Sequence, residues 1–140
     1  MRSINNEEAK KIEFKVLVEF AKYCDENNLR YHLAYGTLLG AVRHKGFIPW
    51  DNDIDVTMPR PDYEKFRKLV CEKEVASNIS CLDYKYCDTF PFIKLVDNRT
   101  ICKEHFLVTE SNMGLYIDVF PMDGFPKDIK KQKGIIFRKN

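Results

Sequence analysis

Tyr35-Gly36-Thr37-Leu38-Leu39-Gly40-Ala41-Val42-Arg43-His44-Lys45-Gly46-Phe47-Ile48-Pro49-Trp50-Asp51-Asn52-Asp53-Ile54-Asp55-Val56 puts a glycine turn, a basic cluster and three aspartates into one short segment. Val56, Thr57 and Met58 extend its apolar, β-branched end, so Ile54 to Met58 is expected to form a short strand that Pro59 stops. Side chains two apart on a strand share a face. Asp53 and Asp55 therefore point the same way, while Ile54 and Val56 face the core. Carboxylates this close raise one another's pKa unless a cation lies among them. Paired oxygens with room for water and phosphate suit Mg²⁺ or Mn²⁺. A solvated acidic turn is the plainer alternative, since aspartates are common in turns.

Upstream, Tyr31-His32-Leu33-Ala34-Tyr35 alternates and is aromatic enough for a strand, and Gly36-Thr37 opens an apolar run of helical spacing, Leu38, Leu39 and Val42. Free amides at a helix start attract phosphate. Gly36 lets the backbone approach it, and the Thr37 hydroxyl is placed either to cap the helix or to bond a phosphate oxygen. Gly46 is expected to end this helix, with Arg43, His44 and Lys45 in its last turn, where positive charge is favoured on dipole grounds alone. The planar fork of Arg43 also suits a phosphate, which makes it a substrate-binding candidate.

The run from Gly36 to Val56 resembles the signature of the LicD family, the phosphocholine-transferase group that includes fukutin and the fukutin-related protein. Met58-Pro59-Arg60, Asp62-Tyr63-Glu64-Lys65-Phe66 and Tyr116-Ile117-Asp118-Val119-Phe120-Pro121-Met122-Asp123 extend the resemblance over roughly residues 30 to 126. It implies a nucleotidyltransferase-like fold. It also implies transfer of a phosphorylated small alcohol, phosphocholine or a polyol phosphate, from a CDP-activated donor to a glycan or lipid-linked saccharide, as in lipopolysaccharide or teichoic acid synthesis. Such an acceptor is compatible with peripheral membrane association. One departure is Asn52, where the family usually carries aspartate; by strand alternation it faces away from Asp53 and Asp55.

Composition sets the frame. At 140 residues the chain is expected to be one domain, residues 1–140, long enough to bury a core. A net charge of +2, with cations and anions interspersed, gives no reason to expect a nucleic-acid partner. No apolar run approaches a membrane span and the N-terminus is no signal peptide, so a cytoplasmic enzyme is the default. Chains resembling LicD are generally longer, and Ile135, Ile136 and Phe137 near the end want a core, so the domain is expected to be incomplete at its C-terminus.

Five cysteines at irregular spacing indicate reduced thiols. Cys24 and Cys71 fall on apolar helix faces. Cys81, Cys87, Cys102 and His105 offer one usable zinc spacing, Cys102 to His105, but Cys81 and Cys87 lack the tight knuckle of common zinc sites, and buried or half-buried thiols are the expectation.

The first helix is expected from about Asn6 to Asn27, with Ile12, Val16, Phe20 and Tyr23 as its inner stripe and Lys10, Lys11, Lys15 and Lys22 outside. It carries no assigned chemistry. A second packing helix should begin after Pro59-Arg60-Pro61-Asp62 and end near Ser77-Asn78. Ile79 to Tyr84, Phe92 to Asp97, Ile101 to Phe106 and Leu115 to Phe120 are expected strands, with a turn at Asp97-Asn98-Arg99-Thr100. Pro126 introduces a basic run, Lys127 to Lys133, with the look of a helix start. Lys94 and Arg99 are expected to be exposed cations without a specific task. Asp118, between Ile117 and Val119, is expensive to bury without a partner, and the cation at Asp53 and Asp55 would be that partner. Asp123 belongs to a turn.

The fold class expected is therefore α+β, a nucleotidyltransferase-like mixed sheet flanked by helices. Asp53, Asp55 and Asp118 are its metal ligands and catalytic acids, and Gly36, Thr37 and Arg43 its substrate contacts. Asp51 to Asp55 copies the opening of a calcium-binding EF-hand loop, but Val56 stands where glycine is needed and Asp62 where a bidentate glutamate is needed. A nucleotidyltransferase using a nucleoside triphosphate shares the same site features and remains the alternative.

Overall fold

Burial of every second residue, Ile54, Val56 and Met58, draws the acidic segment into a sheet whose other strands supply Ile93, Leu95, Ile117 and Val119 to one core. A computed structural model describes residues 2–83, 92–101, 113–124, 127, 128, 130 and 131. Among these the order is α1 (Asn6–Glu26), β1 (His32–Leu33), α2 (Tyr35–Arg43), β2 (Asp55–Pro59), α3 (Arg60–Glu72), β3 (Ile79–Leu82), β4 (Ile93–Asp97) and β5 (Tyr116–Met122). The strands form one open sheet in the order β1-β2-β5-β4-β3. Only β2 and β5 run parallel; the other pairings are antiparallel, so the sheet is mixed and the fold is α+β.

α1 starts with a capping box: Asn5 accepts from the Glu8 amide and Glu8 accepts from the Asn5 amide. Its inner stripe, Val16, Phe20, Tyr23 and Cys24, meets Tyr63 and Phe66 of α3, and Phe66 stands edge-on to Phe20 and Tyr23 at centroid distances of 5.3 and 5.8 Å. Each such buried side chain contributes roughly 1.5–3 kcal/mol. Polar ties fix the helices further. The Tyr23 hydroxyl donates to the Lys73 carbonyl, Asp62 accepts from the Arg30 amide and guanidinium, and Arg60 grips Asp123 through two bonds of 2.7 and 2.9 Å.

Several expectations shift. The strand from Tyr31 to Tyr35 shrinks to His32–Leu33 because Tyr35, with φ of 50°, already turns into α2. That helix has Ala34 at its cap, so Thr37 lies inside the first turn and does not cap it. At the other end Lys45, φ 53°, takes the left-handed position expected of Gly46. Pro59 is the last residue of β2, α3 stops at Glu72, and Cys71 is exposed. Cys81 is a free, half-buried thiol, while Cys87, Cys102, His105, the strand expected after Ile101 and residues 129, 132 and 133 of the basic run after Pro126 lie outside the described residues.

Candidate active site

The parallel register sets Asp55 of β2 directly against Asp118 of β5, and the antiparallel register sets Asp118 against Lys94 of β4. Residues paired across strands point to the same side. Asp55, Asp118 and Lys94 thus form one polar row, while the next row, Val56, Val119 and Ile93, enters the core. Asp53 lies two residues before Asp55 and is exposed, with Ile54 buried between them, as the alternation requires. Asn52 is exposed.

Lys94 overturns the picture of an idle surface cation. It is 4% exposed, its Nζ lies 2.7 Å from Asp118 Oδ1, and it sits over the Tyr116 ring at 3.7 Å. The partner that Asp118 needs is thus supplied by the protein itself. The signal was faint in the sequence, because a lysine in Phe92-Ile93-Lys94-Leu95-Val96 looks outward unless the strand is central. Arg99 is engaged structurally, with two bonds to the buried Asp97.

Burial and then the charges of Asp118, Asp53 and Asp51 push the Asp55 carboxyl up to about 6, against the smaller opposing pull of Lys94. The excess of negative oxygen is what a hard divalent cation relieves, and the all-oxygen donor set fits Mg²⁺ or Mn²⁺ in kind. Among the described residues no three His, Cys, Asp or Glu side chains converge closely enough to hold an ion as they stand. An ion would have to draw them together.

Thr37 works on the backbone of this segment. Its hydroxyl accepts from the Asp55 amide at 2.9 Å and donates to the Asp53 carbonyl at 3.3 Å. Gly36 is small for a reason the sequence did not show: a Cβ there would lie 2.2 Å from Asp51 Oδ2. Asp51 in turn accepts from the Asp53 amide. Arg43 stands exposed at the far end of α2, about 10 Å of helix from Gly36, and is not gathered into the acidic row. Beside the acids a cleft of about 560 Å³ opens between α1, α2 and the loop that joins α2 to β2, lined by Phe14, Phe47, Gly36, Thr37, Asp51 and Asp53 among others.

α1 also serves the site. Lys10, expected outside, is 9% exposed, and its ammonium donates to the Pro49 carbonyl at 3.1 Å and lies over the Phe47 ring, clasping the acidic loop. Glu13, one turn on, is buried, and its carboxyl is held at about 8 by desolvation and by Asp53, Asp118 and Asp51.

A mixed sheet with acids on a parallel strand pair, preceded by a strand, a glycine and a helix, defines an α+β domain of nucleotidyltransferase character. Residues 28–139 match the LicD/FKTN/FKRP nucleotidyltransferase domain, and the chain belongs to that family. It is 32% identical over 132 residues to the lipopolysaccharide cholinephosphotransferase LicD of Haemophilus influenzae, covering 93% of this chain and 49% of that protein. It is 26% identical over 117 residues to an uncharacterised protein of Rickettsia prowazekii, covering 81% and 40% of the two chains. The chain thus spans half or less of these relatives' length. Among the described residues no helix is long and apolar enough to cross a membrane.

Proposed function

We propose that the protein is a metal-dependent phosphotransferase that moves a phosphorylated small alcohol, phosphocholine or a polyol phosphate, from a CDP-activated donor to a glycan or lipid-linked saccharide. The observation that carries this is the side-by-side placing of Asp55 and Asp118 on parallel strands, with Asp53 at the strand entry, in a chain of the LicD family. The cholinephosphotransferase activity of the Haemophilus relative supports phosphocholine as the first group to try.

Asp53, Asp55 and Asp118 would hold Mg²⁺ or Mn²⁺. Such an ion, when bound, supplies charge neutralisation for a diphosphate and its leaving nucleotide. The protein's own groups do the rest. Thr37 fixes the peptide between Asp53 and Asp55, so the carboxylates are presented at one spacing. Gly36 keeps the start of α2 open beside Asp51, where a phosphate can approach the helix amides. Lys94 offsets part of the negative charge on Asp118, and Asp118 is the candidate to take the acceptor's proton. The neighbouring cleft has the size of a small-ligand site. Arg43 would contact a more distant part of the substrate.

The test is a melting series with Mg²⁺ and CDP-choline, CDP-polyols, ATP and GTP. A ligand at about 100 times its Kd adds roughly 2.7 kcal/mol to the native state. A CDP-ester is expected to raise the melting temperature most. A larger shift with ATP, in protein shown to bind Mn²⁺, would replace this function by nucleotidyl transfer from a triphosphate.

A further inference from the structure

Helix α2 is built inside out. Its large apolar residues, Tyr35, Leu38, Leu39 and Val42, recur at the spacing of one helix face, and all four are exposed. The opposite face, by which the helix packs, is made of small residues. Gly40 is buried, and a Cβ there would lie 2.4 Å from the Gly46 carbonyl oxygen; Gly36 and Thr37 meet Asp51 and the backbone of Asp53 and Asp55. Tyr35 leans edge-on against Phe120, but Val42 stays 73% exposed. Trp50, 81% exposed, stands edge-on to His44 with 6.4 Å between ring centroids, so its indole extends the apolar row past the C-terminal end of α2. Single exposed apolar side chains are ordinary, whereas a continuous row of them marks a contact surface.

The charge beside this row decides what it fits. Arg43, His44 and Lys45 are exposed at its end, and no Asp or Glu occurs from Tyr35 to Trp50 in a chain that holds 21 acidic residues. The acids begin at Asp51, which packs on the small-residue face across the helix. A second copy of the chain, apposed face to face by the same patch, would bring no acid to these cations. An anionic bilayer satisfies every part of the surface: aliphatic side chains enter the acyl boundary, tyrosine and tryptophan sit at headgroup level, and cations meet lipid phosphates. We infer that the outer face of α2, completed by Trp50 and the Arg43 to Lys45 cluster, docks the protein on an anionic lipid surface. Asp51 and Asp53 lie across α2, roughly 10 Å away, so a lipid-linked acceptor would meet the acids close to that surface. Docking itself does not depend on the phosphotransfer proposed above, and it is read without donor or metal.

Trp50 is the chain's single tryptophan, so its emission reports this face directly. The test titrates the full chain with vesicles of phosphatidylcholine alone and of phosphatidylcholine mixed with phosphatidylglycerol, following Trp50 emission, its quenching by acrylamide and co-sedimentation. Mixed vesicles are expected to shift the emission to the blue, shield it from acrylamide and sediment the protein, with all three effects weakened by salt. Arg43→Gln with Lys45→Gln should lower vesicle affinity by about tenfold or more. Leu38→Ser with Val42→Ser should lower it at least as much while the melting temperature stays near the parent's, because both side chains are exposed. Absence of vesicle binding would overturn the inference, as would binding that leaves Trp50 open to acrylamide or that both double variants retain in full. A blue shift without vesicles that grows with protein concentration, together with a dimer in sedimentation equilibrium, would assign the face to a second copy and overturn it too.

Discussion

Thr37 and Asp55 are joined by a hydrogen bond of 2.9 Å in which the threonine hydroxyl accepts the strand amide, and the same hydroxyl donates to the Asp53 carbonyl. The first turn of α2 is thereby stitched to the entry of β2, and the spacing of two carboxylates is set by a side chain from another element. Thr37→Val, which keeps the shape and removes the hydroxyl, should cost about 1–3 kcal/mol because an amide and a carbonyl lose their partner together. Thr37→Ser should cost much less. Urea unfolding of the three proteins checks this, and equal stability of Val and parent would show that the stitch is idle.

Asp55 gives a pH signature. Its folded carboxyl sits at about 6 against an ordinary 3.8, so the folded protein holds a proton that the unfolded chain releases. This group therefore favours folding below about pH 4, and its contribution declines as pH rises to about 6. Since Asp55 is partly exposed, the effect is about 1–2 kcal/mol rather than the roughly 3 kcal/mol of the full shift. Asp55→Asn should melt higher than the parent at pH 8, match it near pH 4, and lose Mn²⁺ binding. A difference independent of pH would mean that repulsion is not the cause.

Lys94 is a buried member of an ion pair, and removing one partner of such a pair typically costs about 3–5 kcal/mol. Lys94→Met should destabilise the metal-free protein on that scale, and saturating Mg²⁺ should restore part of the loss by giving Asp118 another cation. Denaturant unfolding with and without Mg²⁺ reads both effects. Restoration by an equal concentration of a monovalent salt would assign it to general screening.

Two glycines should respond differently to alanine. A Cβ at Gly36 meets the side-chain carboxylate of Asp51, whereas one at Gly40 meets the backbone oxygen of Gly46 at 2.4 Å and the Ile48 amide at 3.0 Å. Gly40→Ala should cost about 1–3 kcal/mol as overpacking. Gly36→Ala should leave stability nearly unchanged but reduce Mn²⁺ affinity by displacing Asp51, the side chain that accepts from the amide of the proposed ligand Asp53. Thermal melts and calorimetry on both variants separate the two outcomes.

The alternation of Asp53, Ile54, Asp55 and Val56 is legible in the sequence alone, because burial of one strand face dictates it, and Asp118 declares itself by the cost of an acid between Ile117 and Val119. Lys94, Lys10 and Glu13 are not legible there. Each is a charged residue on an inward position, and periodicity alone assigns charge to the outside; only the strand order, which puts β4 inside the sheet between β5 and β3, and the tie from α1 to the acidic loop reveal what they face. The start of α2 differs from expectation for a local reason. Tyr35 adopts a left-handed backbone that sequence preference reserves for glycine, and it ends the strand two residues early.

The sheet order also bears on how the site comes into being. Lys94 and Asp118 meet through an antiparallel pairing across 24 residues, whereas Asp55 meets Asp118 only when the parallel β2·β5 ladder closes over about sixty, and pairings of longer range are slower to form. Asp118 is thus expected to acquire its ammonium partner before the second carboxylate arrives. A nascent chain that has not yet made residues 116–122 carries Asp53 and Asp55 with nothing opposite them, so the acidic row, and any affinity for a cation that depends on it, is among the last properties this fold acquires.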